Sequence, residues 1–179
     1  MPGADQSSNT STSQYFVREI HKDDDTKQFF CEDKDFLPLQ SFLDNHAYIL
    51  HELNISKTYV VAIERRVIAY ISLCCSLVRF DTSPKELPNI PFKVYPAIKI
   101  GQLAVDDNFK RQGFGTQLIN LAKSSAKEHI QKYVGCRLLA VDAHRKAVSY
   151  YTHKGFTLLD SPKNLEKEFP VLFLDIGKL

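Results

Sequence analysis

The chain has 179 residues, 44% hydrophobic and 25% charged, with a formal net charge of +2, a balance that fits one globular domain with a full core. No apolar run is long enough to cross a bilayer. Met1 to Gln14, rich in Ser, Thr, Asn, Gly, Asp, Gln and Pro, has no apolar stretch and reads as a flexible tail instead of a signal peptide, leaving 15–179 as a single domain.

Charge is unevenly spread. From Tyr15 to Val60 nine acids face five bases, and from Gly101 to Gly155 nine bases face four acids. The basic second half suits a phosphate-bearing ligand and tolerates nucleic acid, although each lysine taken alone also reads as part of a solvated helix face. The cysteines Cys31, Cys74, Cys75 and Cys136 form no Cys-x-x-Cys pair, so they read as small core residues in a reducing cytoplasm.

In chain order, Tyr15–Ile20 alternates as a first strand, and Asp25 or Thr26 caps a short predicted helix through Phe30. A second helix fits Leu37–Leu53, with Leu39, Phe42, Leu43, Ala47 and Leu50 on one face. Lys57–Ile63 and Val67–Leu77, parted by Glu64-Arg65-Arg66, read as a β-hairpin. Phe80–Pro96 holds four prolines and reads as an irregular loop or a partner-facing flap. A strand over Ala97–Val105 follows, then a helix from about Gly113 to Lys132. Next come an apolar, central strand over Cys136–Val141, a short helix over His144–His153 and a strand over Phe156–Leu159. After a charged loop from Ser161 to Glu168, the last strand starts past Pro170, at Val171, and runs to Ile176. A hairpin followed by βα units predicts an α/β (α+β) fold, one central mixed β-sheet flanked by helices.

The stretch with chemistry is Gln102–Ile119. An apolar strand ends at Val105, and Lys110-Arg111-Gln112-Gly113-Phe114-Gly115-Thr116 leads into an amphipathic helix. Two glycines one residue apart let backbone approach a ligand, and a helix start offers unpaired N–H groups to an anion. A Rossmann or P-loop site fails here: there is no Gly-Lys-Ser/Thr and no third glycine at the fingerprint spacing.

This loop resembles the acetyl-CoA pyrophosphate loop of the GNAT family of N-acetyltransferases, with Lys110 where Gln or Arg is usual. Val141–Phe156, with Tyr150-Tyr151 ahead of Gly155-Phe156, resembles the family's closing helix. Phe30-Cys31-Glu32, Leu39, Phe42-Leu43, Thr58–Val61, Ile68–Leu73 and Gly101–Asp106 further resemble the acetyltransferase toxins of bacterial toxin–antitoxin pairs, which acetylate aminoacyl-tRNA.

The resemblance implies acetyl-CoA as acetyl donor and a central strand that splays from its neighbour near Val105. Leu103 and Val105 then pair through their backbone with pantetheine, and the segment Lys110, Arg111, Gln112, Gly113, Phe114, Gly115 and Thr116 holds the pyrophosphate. It makes Tyr151 the acid that protonates the departing sulfur, and places His144 where relatives use Asn against the cofactor; a helix cap is the competing role for His144. Tyr150 reads as the core-facing neighbour of Tyr151. Glu64, Asp106 and a water chain stay open as general base. His46, His51 and His153 have no metal-ligand spacing. The implied partners are an amine acceptor, aminoacyl-tRNA foremost, an antitoxin and a second copy of the chain; a small or protein amine as acceptor and a non-catalytic acyl-CoA sensor are the rival readings.

Overall fold

The computed structural model of the protein describes residues 15–82, 84, 85 and 87–179; the tail expected at 1–14 lies outside them. Seven strands, β1 (Phe16–Glu19), β2 (Lys57–Ile63), β3 (Arg66–Arg79), β4 (Val94–Val105), β5 (Leu138–Asp142), β6 (Thr157–Leu158) and β7 (Val171–Asp175), form one mixed sheet in the order β1-β2-β3-β4-β5-β7-β6. β4 and β5 run parallel, and the other neighbours are antiparallel. The helices are α1 (Leu37–Asn45), α2 (Ala47–Glu52), α3 (Phe114–Ser124), α4 (Val148–His153) and α5 (Pro162–Leu165). On one face of the sheet, Leu118, Ile119 and Ala122 of α3 pack on Ile71, Ile100 and Leu139. On the other, Leu43 of α1 and Ala47 of α2 pack on Val60, Tyr70 and Ala104.

The predicted hairpin forms as expected, with Lys57 opposite Leu73 and Ile63 opposite Arg66. The expected helix after Asp25 does not. Asp25 is pinned to the hairpin turn, its N–H donating to Arg65 O and its carbonyl accepting from Val67 N–H, while its side chain accepts from Lys27 N–H; these local bonds compete with a helical turn.

The single helix expected over Leu37–Leu53 breaks at His46 (φ −129°, ψ −33°). The break turns His51 inward, where its Nδ1 accepts from Thr58 N–H at 3.1 Å. β4 starts at Val94, ahead of the expected Ala97, and accommodates Pro96. The Pro96 carbonyl accepts from Arg137 N–H on the β5 side, so its missing N–H faces an edge where the β4–β5 ladder has not begun and costs no bond to β3. The helix expected to reach Lys132 ends as α at Ser124 and continues through a π turn and a 3₁₀ turn. The charged loop expected at Ser161–Glu168 contains α5, whose Asn164 side chain ties Leu159 and Val171 together.

One feature of the register governs the site. β4 pairs with β5 only over Ala97–Ile100, although its pairing with β3 continues to Val105. Leu73 lies opposite Ile100 but Ser72 lies opposite Gln102, so Gly101 is an extra residue on β4. Such a bulge bends the strand that carries it, and here it sits where β4 parts from β5. The opening therefore begins at Gly101, four residues before the expected Val105.

α1 is fixed to the sheet by the buried Tyr70, whose hydroxyl donates to Leu39 O at 2.7 Å. Tyr70→Phe should lower stability by about 1 kcal/mol, read as a lower urea midpoint with an unchanged slope. An unchanged midpoint would show that the bond carries no stability.

Candidate active site

The open edge of β4 presents specific backbone groups. Asp106 N–H donates to Ile68 O at 2.9 Å, and alternate residues of an antiparallel strand turn their N–H and C=O to the same neighbour. Gln102 and Ala104 therefore face β3, which leaves Leu103 and Val105 to face the gap on the β5 side. Nothing from β5 pairs with them there.

The chain then turns on Asp106. This carboxylate is fully buried and accepts from Asn108 N–H at 2.9 Å, Asn108 Nδ2 at 3.0 Å and Arg66 at 3.3 Å. Its bonds are committed to holding the turn, and neither it nor Glu64, which sits in the hairpin turn at φ 54°, lines the cavity described below. Lys110 pairs with Asp107, Arg111 takes a left-handed conformation at φ 64° and Gly113 one at φ 89°. A side chain at Gly113 would meet no neighbour within 4 Å, so backbone conformation and not crowding calls for glycine there. The first α3 hydrogen bond runs from Gln117 N–H to Gly113 O at 3.0 Å, which leaves the N–H groups of Phe114, Gly115 and Thr116 without helical acceptors.

α4 brings both tyrosines to this point. Tyr151 is buried, 6% exposed, and packs edge-on against Phe156 and Tyr150. Burial, followed by the neighbouring Tyr150, pushes its phenol far above the usual tyrosine range. Tyr150, expected to face the core, is instead 37% exposed. Its hydroxyl lies 2.5 Å from where a Cβ on Gly115 would stand, and Lys154 Nζ sits 5.6 Å from its ring centroid. The helix turns the second tyrosine inward and leaves the first along the loop, a rotation that the sequence spacing alone does not fix.

A third wall comes from the irregular segment before α1. Cys31, Asp33, Phe36 and Leu39 join the loop and both tyrosines around one cavity of about 520 Å³. The Cys31 thiol is pushed up to about 11 by burial and then by Asp107, so it stays protonated at neutral pH and is a poor nucleophile. Asp33 is held below the ordinary carboxylate range, chiefly by its hydrogen bond from Lys146 at 2.8 Å.

Of the residues singled out in the sequence, Leu103, Val105, Lys110, Arg111 and Gly113 line the cavity, as do Phe114, Gly115, Thr116 and Tyr151. Gln112 and His144 do not. His144 caps the 3₁₀ turn before α4, its Nδ1 accepting from Lys146 N–H, and its ring packs between Phe36 and Phe169. Among the lining residues absent from the sequence reading of the site are Asp33 and Phe36, which no local pattern marks, Cys31 and Leu39, which entered only through the toxin resemblance, and Tyr150, whose adjacency to Tyr151 was the available signal.

The profile of the acetyltransferase (GNAT) domain matches residues 54–158, more than half of the chain. The chain belongs to the GNAT acetyltransferase family. It is accordingly an acetyltransferase with acetyl-CoA as its acetyl donor. Among solved structures, it is similar to AtaT complexed with acetyl-methionyl-tRNAfMet, at 26% identity over 92% of this chain and 96% of that one, with a TM-score of 0.76. It is also similar to AtaTR bound with acetyl-CoA, at 27% identity over 92% and 95%, with a TM-score of 0.74. A Tyr-to-Phe variant of KacT, at 24% identity over 92% and 96%, shares the fold with a TM-score of 0.79. The GNAT match covers β4, the loop, α3 and α4, but stops short of the Cys31–Leu39 wall. The residues around the cavity fit the donor: an open strand edge for an amide-bearing arm, free helix N–H groups for phosphate, and room between them.

Iodoacetamide at pH 7.5 should label the exposed Cys75 well before the buried Cys31, and the Cys31 rate should keep rising with pH through about 11 as thiolate forms. Peptide mapping by mass spectrometry checks both; labelling of Cys31 first at neutral pH would contradict the assigned environment.

Proposed function

We propose that the protein transfers the acetyl group of acetyl-CoA to the amine of an aminoacyl-tRNA, in a toxin-type role with an antitoxin as partner. The observation that carries this reading is the likeness, over 92% of the chain, to AtaT in complex with acetyl-methionyl-tRNAfMet. A structure of AtaTR with acetyl-CoA adds support for the donor site. The basic surplus of Gly101–Gly155, nine bases against four acids, suits a polyphosphate acceptor. Residues 15–179 act as one catalytic domain in this reading, in the cytoplasm, and no helix among the described residues is long and apolar enough to cross a membrane.

Bound acetyl-CoA supplies an activated thioester, and the chain's residues have separate tasks around it. The backbone groups of Leu103 and Val105 pair with the pantetheine amides as an added strand would. The N–H groups of Phe114, Gly115 and Thr116, with Lys110 and Arg111 beside them, hold the pyrophosphate through hydrogen bonds and the helix dipole. As the neutral amine nitrogen of the acceptor bonds to the carbonyl carbon and the C–S bond breaks, the Tyr151 hydroxyl gives its proton to sulfur, and the proton that the nitrogen sheds on becoming an amide restores the Tyr151 hydroxyl. That hydroxyl makes no hydrogen bond to another described residue, and burial keeps it protonated, so its proton is available across the working pH range. Tyr150, beside Gly115, contacts the donor near its phosphates.

Tyr151→Phe should slow transfer about tenfold or more while acetyl-CoA affinity stays within about twofold; Tyr150→Phe should do the reverse, weakening affinity with a smaller effect on kcat. Because the Tyr151 phenol is raised, its deprotonation should not cut the rate below pH 10, and a loss of rate between pH 8 and 9 that disappears in Tyr151→Phe would overturn the assignment. Gly113→Asp, which adds negative charge at a left-handed position, should abolish acetyl-CoA binding by calorimetry. For the acceptor, purified protein is incubated with labelled acetyl-CoA and charged tRNA: label in the RNA fraction is expected, and label found only on free amines or protein would refute the aminoacyl-tRNA reading.

A further inference from the structure

A polar seam leaves the glycine loop and runs between α3 and α4. Thr116, Asn120 and Lys123 follow one another at spacings of four and three residues, so they share one face of α3. At the near end of that face Thr116 sits beside the Tyr150 hydroxyl, which also lies against Gly115. At its far end Lys123 Nζ donates to Lys154 O at 2.8 Å. Lys154 Nζ in turn reaches back over the Tyr150 ring, 5.6 Å from its centroid, a contact that fixes the ammonium in place. The seam therefore starts at the loop N–H groups and ends at a pair of lysines.

These are like charges without a counter-charge. Both lysines are half-buried, and burial, followed by the neighbouring Lys154, pushes the Lys123 ammonium below the ordinary lysine range. Among the described residues neither has an acidic side chain within ion-pair distance. Other bases near the site are committed, Lys110 to Asp107 and Lys146 to Asp33 and Asp35. A cavity of about 280 Å³ opens beside Lys123 and Lys154 with Lys178 on its wall. Its one acidic side chain, Asp175, is already held by Arg137 and by Gly177 N–H. Two partly desolvated ammonium groups repel each other, and an anion between them relieves both the repulsion and the desolvation.

Acetyl-CoA carries such an anion on its adenosine. The ribose 3′-phosphate is a phosphate monoester, close to doubly charged at neutral pH, and it stands one sugar away from the pyrophosphate. With the pyrophosphate on Phe114, Gly115 and Thr116, the Tyr150 ring spans the interval to the lysines. We infer that Lys154 and Lys123 bind the ribose 3′-phosphate, so that the chain selects acetyl-CoA over donors ending in an unphosphorylated ribose. The inference rests on acetyl-CoA as donor and is independent of which amine accepts the acetyl group.

The test is a double-mutant cycle between the protein's charge and the ligand's phosphate, read by calorimetry with CoA and 3′-dephospho-CoA on the full chain. CoA should bind about tenfold more tightly, the weight of one charge-assisted contact, and the ratio should shrink as ionic strength rises. In Lys154→Gln the ratio should collapse toward one, with affinity for dephospho-CoA changing less than about twofold. Lys154→Arg keeps the charge and should keep the ratio. Lys123→Gln should also lower the ratio, and because Lys123 ties the Lys154 carbonyl, its dephospho-CoA affinity separates lost charge from lost structure. Equal affinities for the two ligands in the native chain, a ratio that survives Lys154→Gln, or an equal loss of both ligands in that variant would overturn the inference. Slower transfer to charged tRNA with the ratio intact would place the lysines on the acceptor path and overturn it as well. A collapsed ratio in a protein that labels no tRNA would support it and overturn only the aminoacyl-tRNA reading.

Discussion

The parting of β4 from β5 is the constraint on which the site depends. A continuous ladder would satisfy the backbone of Leu103 and Val105 within the sheet and leave nothing for a ligand to pair with. The bulge at Gly101 ends the β4–β5 ladder at Ile100 while β3 keeps its hold on the other edge to Val105. The strand therefore stays rigid on one side and offers unpaired groups on the other. The core tolerates this because α3 and α1 cover the two faces around the gap, each with its own apolar cluster.

The loop and α4 exploit that gap in different ways. The buried Asp106 fixes where the chain leaves β4, and the left-handed Arg111 and Gly113 aim the start of α3 toward the opening. α4, which follows β5 in the chain, brings Tyr151 to the cavity and Tyr150 against Gly115. Desolvation makes the Tyr151 phenol a weaker acid than a free tyrosine, which suits the proton donor proposed for it. In the proposed mechanism donor binding is a backbone property, and proton supply belongs to a single side chain.

A clasp then joins the N-terminal segment to the α4 approach. Lys146 holds Asp33 and Asp35 across more than a hundred residues of sequence, and the His144 ring sits between Phe36 and Phe169. These ion pairs are solvent-exposed, so their effect on stability is small; their effect is on position, setting the α1-side wall relative to the tyrosines. A residue that the sequence placed beside the cofactor thus serves the opposite wall.

The sequence by itself determined the strand–loop–helix unit around Gly113 and Gly115 and the β2–β3 hairpin, because each rests on local periodicity, turn chemistry or a short motif whose physics acts over a few residues; that Tyr151 belongs to the same site came from the family resemblance. It misread the stretch after Asp25, where long-range bonds to the hairpin outweigh a local helical preference, and the continuous helix through His46, where burial of His51 against Thr58 decides the break. It assigned the wrong tyrosine to the core, since helix rotation is set by what α4 packs against. The bulge at Gly101 and the wall of Cys31, Phe36 and Leu39 were decided by tertiary structure alone. They depend on register between strands and on segments about seventy to more than a hundred residues apart meeting at one edge, and no short-range pattern encodes such a meeting.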